Sequence, residues 1–120
     1  MPLAVIGGLR VKSALRWPEF FLLTMGSLVQ AKRAPGVLSA QVFPEEEGFF
    51  SLSVWESPAA MKRYATSGAH GRAMRRSARV AVVFSFHHFP CDDIPTPQEA
   101  VQLWRAREAE RALAAPRDAG

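Results

Sequence analysis

Residues 79–89, RVAVVFSFHHF, are apolar at both alternations of a strand. Val80, Val82, Phe84 and Phe86 would line one face, and Ala81, Val83 and Phe89 the other. A sheet covered on one side alternates apolar with polar residues, so this pattern calls for a sheet covered on both faces. Helices can supply one cover. The simplest source of the second is the sheet of another copy of the chain, which predicts a homodimer.

The remaining segments supply the partners of that strand. LAVIGGLRVK alternates from Val5 to Val11 and predicts a first strand, with Gly7 and Gly8 marking a bulge or the close approach of another group. A helix starts near Trp17 with Pro18 in its first turn, where a missing N–H costs nothing, and ends before Pro35–Gly36. Trp17, Phe21, Leu28 and Ala31 fall on one side of it, widened by Phe20 and Thr24. VLSAQVFP, the turn EEEG and FFSLSVWE predict a hairpin. Phe50, Leu52 and Val54 face one way in its second strand, and Phe49, Ser51, Ser53 and Trp55 the other. Ser57 and Pro58 start a second helix with Met61, Tyr64 and Ala65 inward, broken near Gly68 and resumed from Ala69 to Ser77. Residues 91–96 read as a linker. Thr96, Pro97 and Glu99 form a capping box for a last helix over 97–115, striped with Ala100, Leu103, Trp104 and Arg107.

This order predicts an α+β fold: a split β-α-β-β-α-β antiparallel sheet of the ferredoxin-like kind, with an extra C-terminal helix. The chain of 120 residues reads as one domain with its core in residues 3–90. No run of 18 apolar residues occurs, so no membrane contact is expected. The N-terminal residues lack a signal-peptide pattern, and the single cysteine, Cys91, suits a reducing compartment. Both point to the cytoplasm. The formal net charge is +4, and no acidic residue occurs between Glu56 and Asp92. Nucleic acid is not expected as a partner even so, because the strands are too apolar for a wet binding surface.

The element order, the APGVLSAQVF turn into the second strand and the strand–WES–helix passage resemble the dimeric α/β-barrel superfamily, and within it the antibiotic biosynthesis monooxygenase-like domains. The W-x-S, M-x-x-Y and S-G-x-H spacing is also similar, more weakly, to the spheroidene monooxygenase-like group. The resemblance spans residues 3 to 90 and implies a dimeric α/β barrel whose ligand sits between helices and sheet. It implies cofactor-independent monooxygenation of a small aromatic or polyketide-like substrate. Two alternatives stay open: a haem-binding or haem-dependent protein of the same superfamily, and a non-enzymatic dimer that binds a small apolar ligand. The chain has no asparagine, although one often accompanies the tryptophan and histidine of those enzymes, and this departure weighs against both enzymatic readings.

The residues that would carry such chemistry are few. Trp55 stands where related oxygenases carry tryptophan, and His70 where haem-binding members carry their histidine. An imidazole can act as a base or ligate iron, and Tyr64 can donate a hydrogen bond to a substrate oxygen. His70, Trp55 and Tyr64 are therefore the candidate catalytic residues, and Trp17, Phe21, Arg10 and Arg72 the candidate substrate-binding ones. Each has a plain alternative: Trp55 as core, His70 at the helix surface, the arginines as solvated charge. His87 and His88 are neighbours on a strand and face opposite ways, so no shared metal site is expected.

Overall fold

A computed structural model describes residues 1–114. The strands are β1 (Leu3–Val11), β2 (Val37–Glu45), β3 (Gly48–Trp55), β4 (Ala81–Val83) and β5 (His87–Pro90). The helices are α1 (Trp17–Arg33), α2 (Pro58–Ala65), α3 (Gly68–Val80) and α4 (Pro97–Ala114). The last residue expected in the final helix, Ala115, lies outside the described residues.

The sheet is open and antiparallel, in the order β2-β3-β1-β4, and β5 pairs with the other end of β1. This is the ferredoxin-like order expected from the sequence. One expected strand divides in two. Residue 80 ends a helix, and the strand predicted over 79–89 becomes β4 and β5, separated by residues 84–86. Both halves pair with β1: Leu9–Val11 with β4, and Leu3–Ile6 with β5. The physical reason lies in the two glycines of β1 and the two phenylalanines opposite them. A Cβ on Gly7 would fall inside the Phe86 ring, and one on Gly8 would crowd Phe84 on the other side. Each bare backbone leaves room for a ring to lie on the sheet, and the strand opens there to place both rings.

The local signals for the helices hold. Ser57 Oγ accepts the backbone N–H of Ala60 at 3.2 Å and starts α2. Ser67 Oγ accepts the N–H of His70 at 3.2 Å and caps α3, which starts at Gly68, one residue earlier than the predicted restart. Thr96 and Glu99 cap α4 reciprocally, with side chain-to-backbone bonds of 3.2 and 3.1 Å.

The two sheet faces differ. Ala4, Ile6, Phe50, Leu52 and Val54 point to one side and are buried under Ala100, Val101 and Trp104 of α4. Trp104 packs edge-on against Phe50 and donates its indole N–H to the Ser85 carbonyl at 2.9 Å. Arg105 reaches back to Glu47 of the β2–β3 turn through two bonds of 2.8 Å. The second cover of the sheet, expected from another copy, thus comes from α4 of the same chain: its apolar stripe has the length and capping to dock on the sheet. Helices α1, α2 and α3 cover the opposite face. On that side Phe20, Val80 and Ala81 form a second small core with Leu9, Val11 and Phe49.

Candidate active site

Between the helix-facing side of the sheet and helices α1, α2 and α3 lies a cavity of about 360 Å³. The sheet forms its floor. Antiparallel register sets Ala40, Ser53, Val5 and His88 in one row across it, and Val42, Ser51 and Gly7 in the next. Thr24, Ser27, Leu28 and Ala31 of α1 form one wall, and Met61, Tyr64, His70, Met74 and Ser77 of α2 and α3 the other. Leu28 and Ala31 belong to the predicted α1 stripe. The inward side of the helix is centred on Phe20, Thr24, Ser27 and Ala31, so Phe21 turns outward.

Three aromatic rings pack in sequence, tilted against one another, along the α2–α3 wall. Trp55 and Tyr64 have centroids 5.0 Å apart, and Tyr64 and His70 are 4.8 Å apart. The buried Trp55 is fixed by its N–H, which donates to Ser53 Oγ at 3.0 Å. The α2–α3 break orients His70. Helix α2 ends at Ala65, Ser67 caps the new helix, and the imidazole falls in the first turn on its inner side. An unbroken helix would have carried it toward solvent. Burial lowers the His70 pKa below its ordinary value, so the ring is a neutral imidazole at neutral pH. Burial raises that of the Tyr64 phenol, which stays protonated.

The polar groups on the lining are hydroxyls, the Gln41 segment and two imidazoles, and no Asp, Glu, Lys or Arg lines the cavity among the described residues. The chemistry available is hydrogen bonding and proton transfer in an apolar enclosure, with no fixed charge.

The candidate residues therefore separate. Trp55, Tyr64 and His70 come together on one wall. Trp17 stands one layer behind it, packed edge-on against Phe49, which lines the cavity, with centroids 5.5 Å apart. Phe21 is exposed on the outer side of α1. Arg10 shares the sheet parity of Ile6 and Gly8, so it belongs to the face opposite the cavity, and it is exposed. Arg72 is exposed on α3, its guanidinium lying back toward Gly68. None of these four lines the cavity. For Trp17 and Phe21 the helical repeat identified a stripe but did not fix which side of it faces the cavity. His88 and Phe86 also line the cavity, although neither was among the candidate site residues. The strand break decides both positions, and the only sequence sign of it was the Gly7–Gly8 pair. His87 faces the other way, as adjacent strand residues must, and bonds Glu108 of α4 at 2.9 Å.

The family model described as antibiotic biosynthesis monooxygenase matches residues 2–76. No curated protein matches the chain. Among solved structures, SnoaB, a cofactor-independent oxygenase from Streptomyces nogalater, aligns with a TM-score of 0.66 at 14% identity, covering 80% of this chain and 97% of its own. Rv0793 from Mycobacterium tuberculosis aligns with a TM-score of 0.67 at 14% identity, covering 79% and 100%. A conserved protein from Methanosarcina mazei gives 0.66 at 13% identity, covering 74% and 91%. At these identities the likeness concerns the fold.

Proposed function

We propose, from the premise that this chain belongs to the antibiotic biosynthesis monooxygenase family, that it is a cofactor-independent monooxygenase acting on a small, uncharged aromatic or polyketide-like phenol. The observation that carries this reading is the His70 imidazole packed beside Tyr64 on the wall of a cavity that no charged side chain lines among the described residues.

A planar substrate lies between the α1 wall and the rings of Trp55 and Tyr64. His70 accepts the proton of its phenol or enol. Charge-free walls raise the energy of the resulting anion relative to water and favour its loss of an electron to dioxygen. Recombination of the two radicals forms a carbon–oxygen bond. Loss of the C–H proton at that carbon with cleavage of the O–O bond then yields a carbonyl on the substrate and one water, with the substrate itself supplying the electrons. His70 returns its proton to the departing oxygen. The protein contributes a base, a dry enclosure and alignment. The same reading makes the chain a cytoplasmic protein.

The haem reading fits less well. His70 could reach an iron, but Arg10 and Arg72 lie outside the cavity and no Lys or Arg lines it among the described residues to meet the propionates. A non-enzymatic binding role would use the same cavity without needing a base.

Oxygen consumption with an anthrone or a polyhydroxynaphthalene as probe tests the proposal. Turnover that survives a metal chelator and is lost in His70→Ala is expected. Tight binding of the probe without oxygen uptake would leave a binding protein and overturn the enzymatic reading.

A further inference from the structure

Strand β1 and the strand formed by β4 and β5 are out of step by one residue. Leu9 faces Val83 and Ile6 faces His87, so three steps along β1 match four along its neighbour. The Phe84 N–H still donates to the Gly8 carbonyl, which places the extra residue at 85–86. This is a β-bulge, and a slip of one residue turns every side chain that follows it to the other face. Without the bulge Val5 would face His87, and His87 would look into the cavity. With it Val5 faces His88, and the His88 imidazole joins the lining.

One stripe of α4 holds the bulge from behind. Trp104, Arg107, Glu108 and Arg111 are spaced three, one and three residues apart, which sets them on one side of the helix. The Trp104 indole N–H donates to the Ser85 carbonyl at 2.9 Å, Arg107 to the His88 carbonyl at 2.7 Å, and Arg111 to the Ser85 hydroxyl. Glu108 bonds the His87 imidazole at 2.9 Å. Strand β5 is four residues at the sheet edge, and such an end frays unless it is tied down. Trp104 also closes the core under α4, whereas Arg107 acts on the segment through the backbone of His88 itself. The bulge and α4 both lie beyond residues 2–76, so this corner of the cavity is not part of what the family model matches.

His88 stands on the open side of the cavity, where it and Phe86 are exposed. Ser53 and His88 flank Val5 on the floor, so their Cα atoms lie about 10 Å apart, two strand spacings. That span suits a fused-ring aromatic. A neutral imidazole offers one N–H donor and one acceptor nitrogen, which fits a hydroxyl or carbonyl oxygen. We propose that His88 is a substrate-binding residue, hydrogen-bonding an oxygen of the substrate other than the one His70 deprotonates, and that the α4 stripe, through Arg107, positions it. The ligand class narrows to fused aromatics carrying at least two oxygens. The inference rests on the aromatic-substrate reading above but not on the oxygenation step.

Binding measured without oxygen, by quenching of tryptophan fluorescence, keeps the two apart. The probes are 1,5-dihydroxynaphthalene and 1-naphthol, which differ by one hydroxyl. The natural chain should bind the dihydroxy probe about tenfold more tightly. His88→Phe keeps a ring and should lose this preference, with its affinity for 1-naphthol within about twofold of natural. His88→Gln, which keeps a donor and an acceptor, should retain part of it. Arg107→Ala should reduce the preference and Arg107→Lys restore it, whereas a merely structural role would weaken both probes alike. Equal affinity of the natural chain for the two probes, binding of neither, or a preference that survives in His88→Phe would overturn the assignment of His88. Equal losses for both probes in Arg107→Ala would overturn the positioning role. A preference lost in His88→Phe would uphold the inference even in a chain that consumes no oxygen.

Discussion

The ring of Phe86 sits against Gly7, in the space that any side chain at residue 7 would need. The contact ties the opened strand between β4 and β5 to the cavity floor, and Phe86 is itself part of the lining. Gly7→Ala should therefore displace the ring and destabilise the fold by about 1–3 kcal/mol, as overpacking does. In a Phe86→Ala background the same change should cost less than about 0.5 kcal/mol. A double-mutant cycle by chemical denaturation checks this. Equal costs in both backgrounds would show that the glycine serves another purpose.

His70 should set the pH dependence of turnover. As a base it must be unprotonated, and burial lowers its pKa from the ordinary 6.5. Activity should rise with pH through a midpoint below 6.5 and then level off. Stability follows with the sign of a depressed histidine. The unfolded chain binds the proton first, so stability falls as pH drops through 6.5 toward the folded-state value. His70→Gln should remove both dependences and lower kcat/KM by about 10²–10⁴-fold. A pH profile unchanged in the variant would exclude His70 as the base.

Helix α4 should be integral to the fold. Trp104→Ala removes the largest side chain it contributes to the sheet and should cost about 3–5 kcal/mol, read as a shifted denaturation midpoint. Truncation after Ile94 uncovers Ile6, Phe50 and Leu52 together, and aggregation or a molten core is expected. A truncated chain that melts like the whole one would show that α4 is only an appendage.

Haemin should not bind in an ordered way. The cavity offers imidazoles but, among the described residues, no cation for the propionates. Mixed with one equivalent of haemin, the protein should leave the Soret band broad and unshifted, and His70→Ala should behave identically. A sharpened, shifted band lost in the variant would establish the haem reading instead.

The fold was largely legible from the sequence, for reasons that can be located. Strand alternation in FFSLSVW assigned each side chain to its face, and Ser57–Pro58 and Thr96–Glu99 marked helix starts by chemistry confined to three or four residues. Of the candidate residues, Trp55, Tyr64 and His70 line the cavity, and they were named from a resemblance that places a tryptophan at the strand end and a histidine on the second helical region. Arg10, Trp17, Phe21 and Arg72 lie outside it; for Trp17 and Phe21 a helical repeat identifies a stripe without saying what lies against it.

The sequence alone determined the element types, their order and the apolar character of both sheet faces, since these depend on backbone preferences and spacing along the chain. Only the tertiary structure decided that α4, not another sheet, covers the second face. It also decided that the last strand opens at residues 84–86 and that His88 looks into the cavity while His87 looks away. Those outcomes depend on which rings can lie on which bare backbone. Gly7 and Phe86 are 79 positions apart in the chain, and nothing local to either specifies the other.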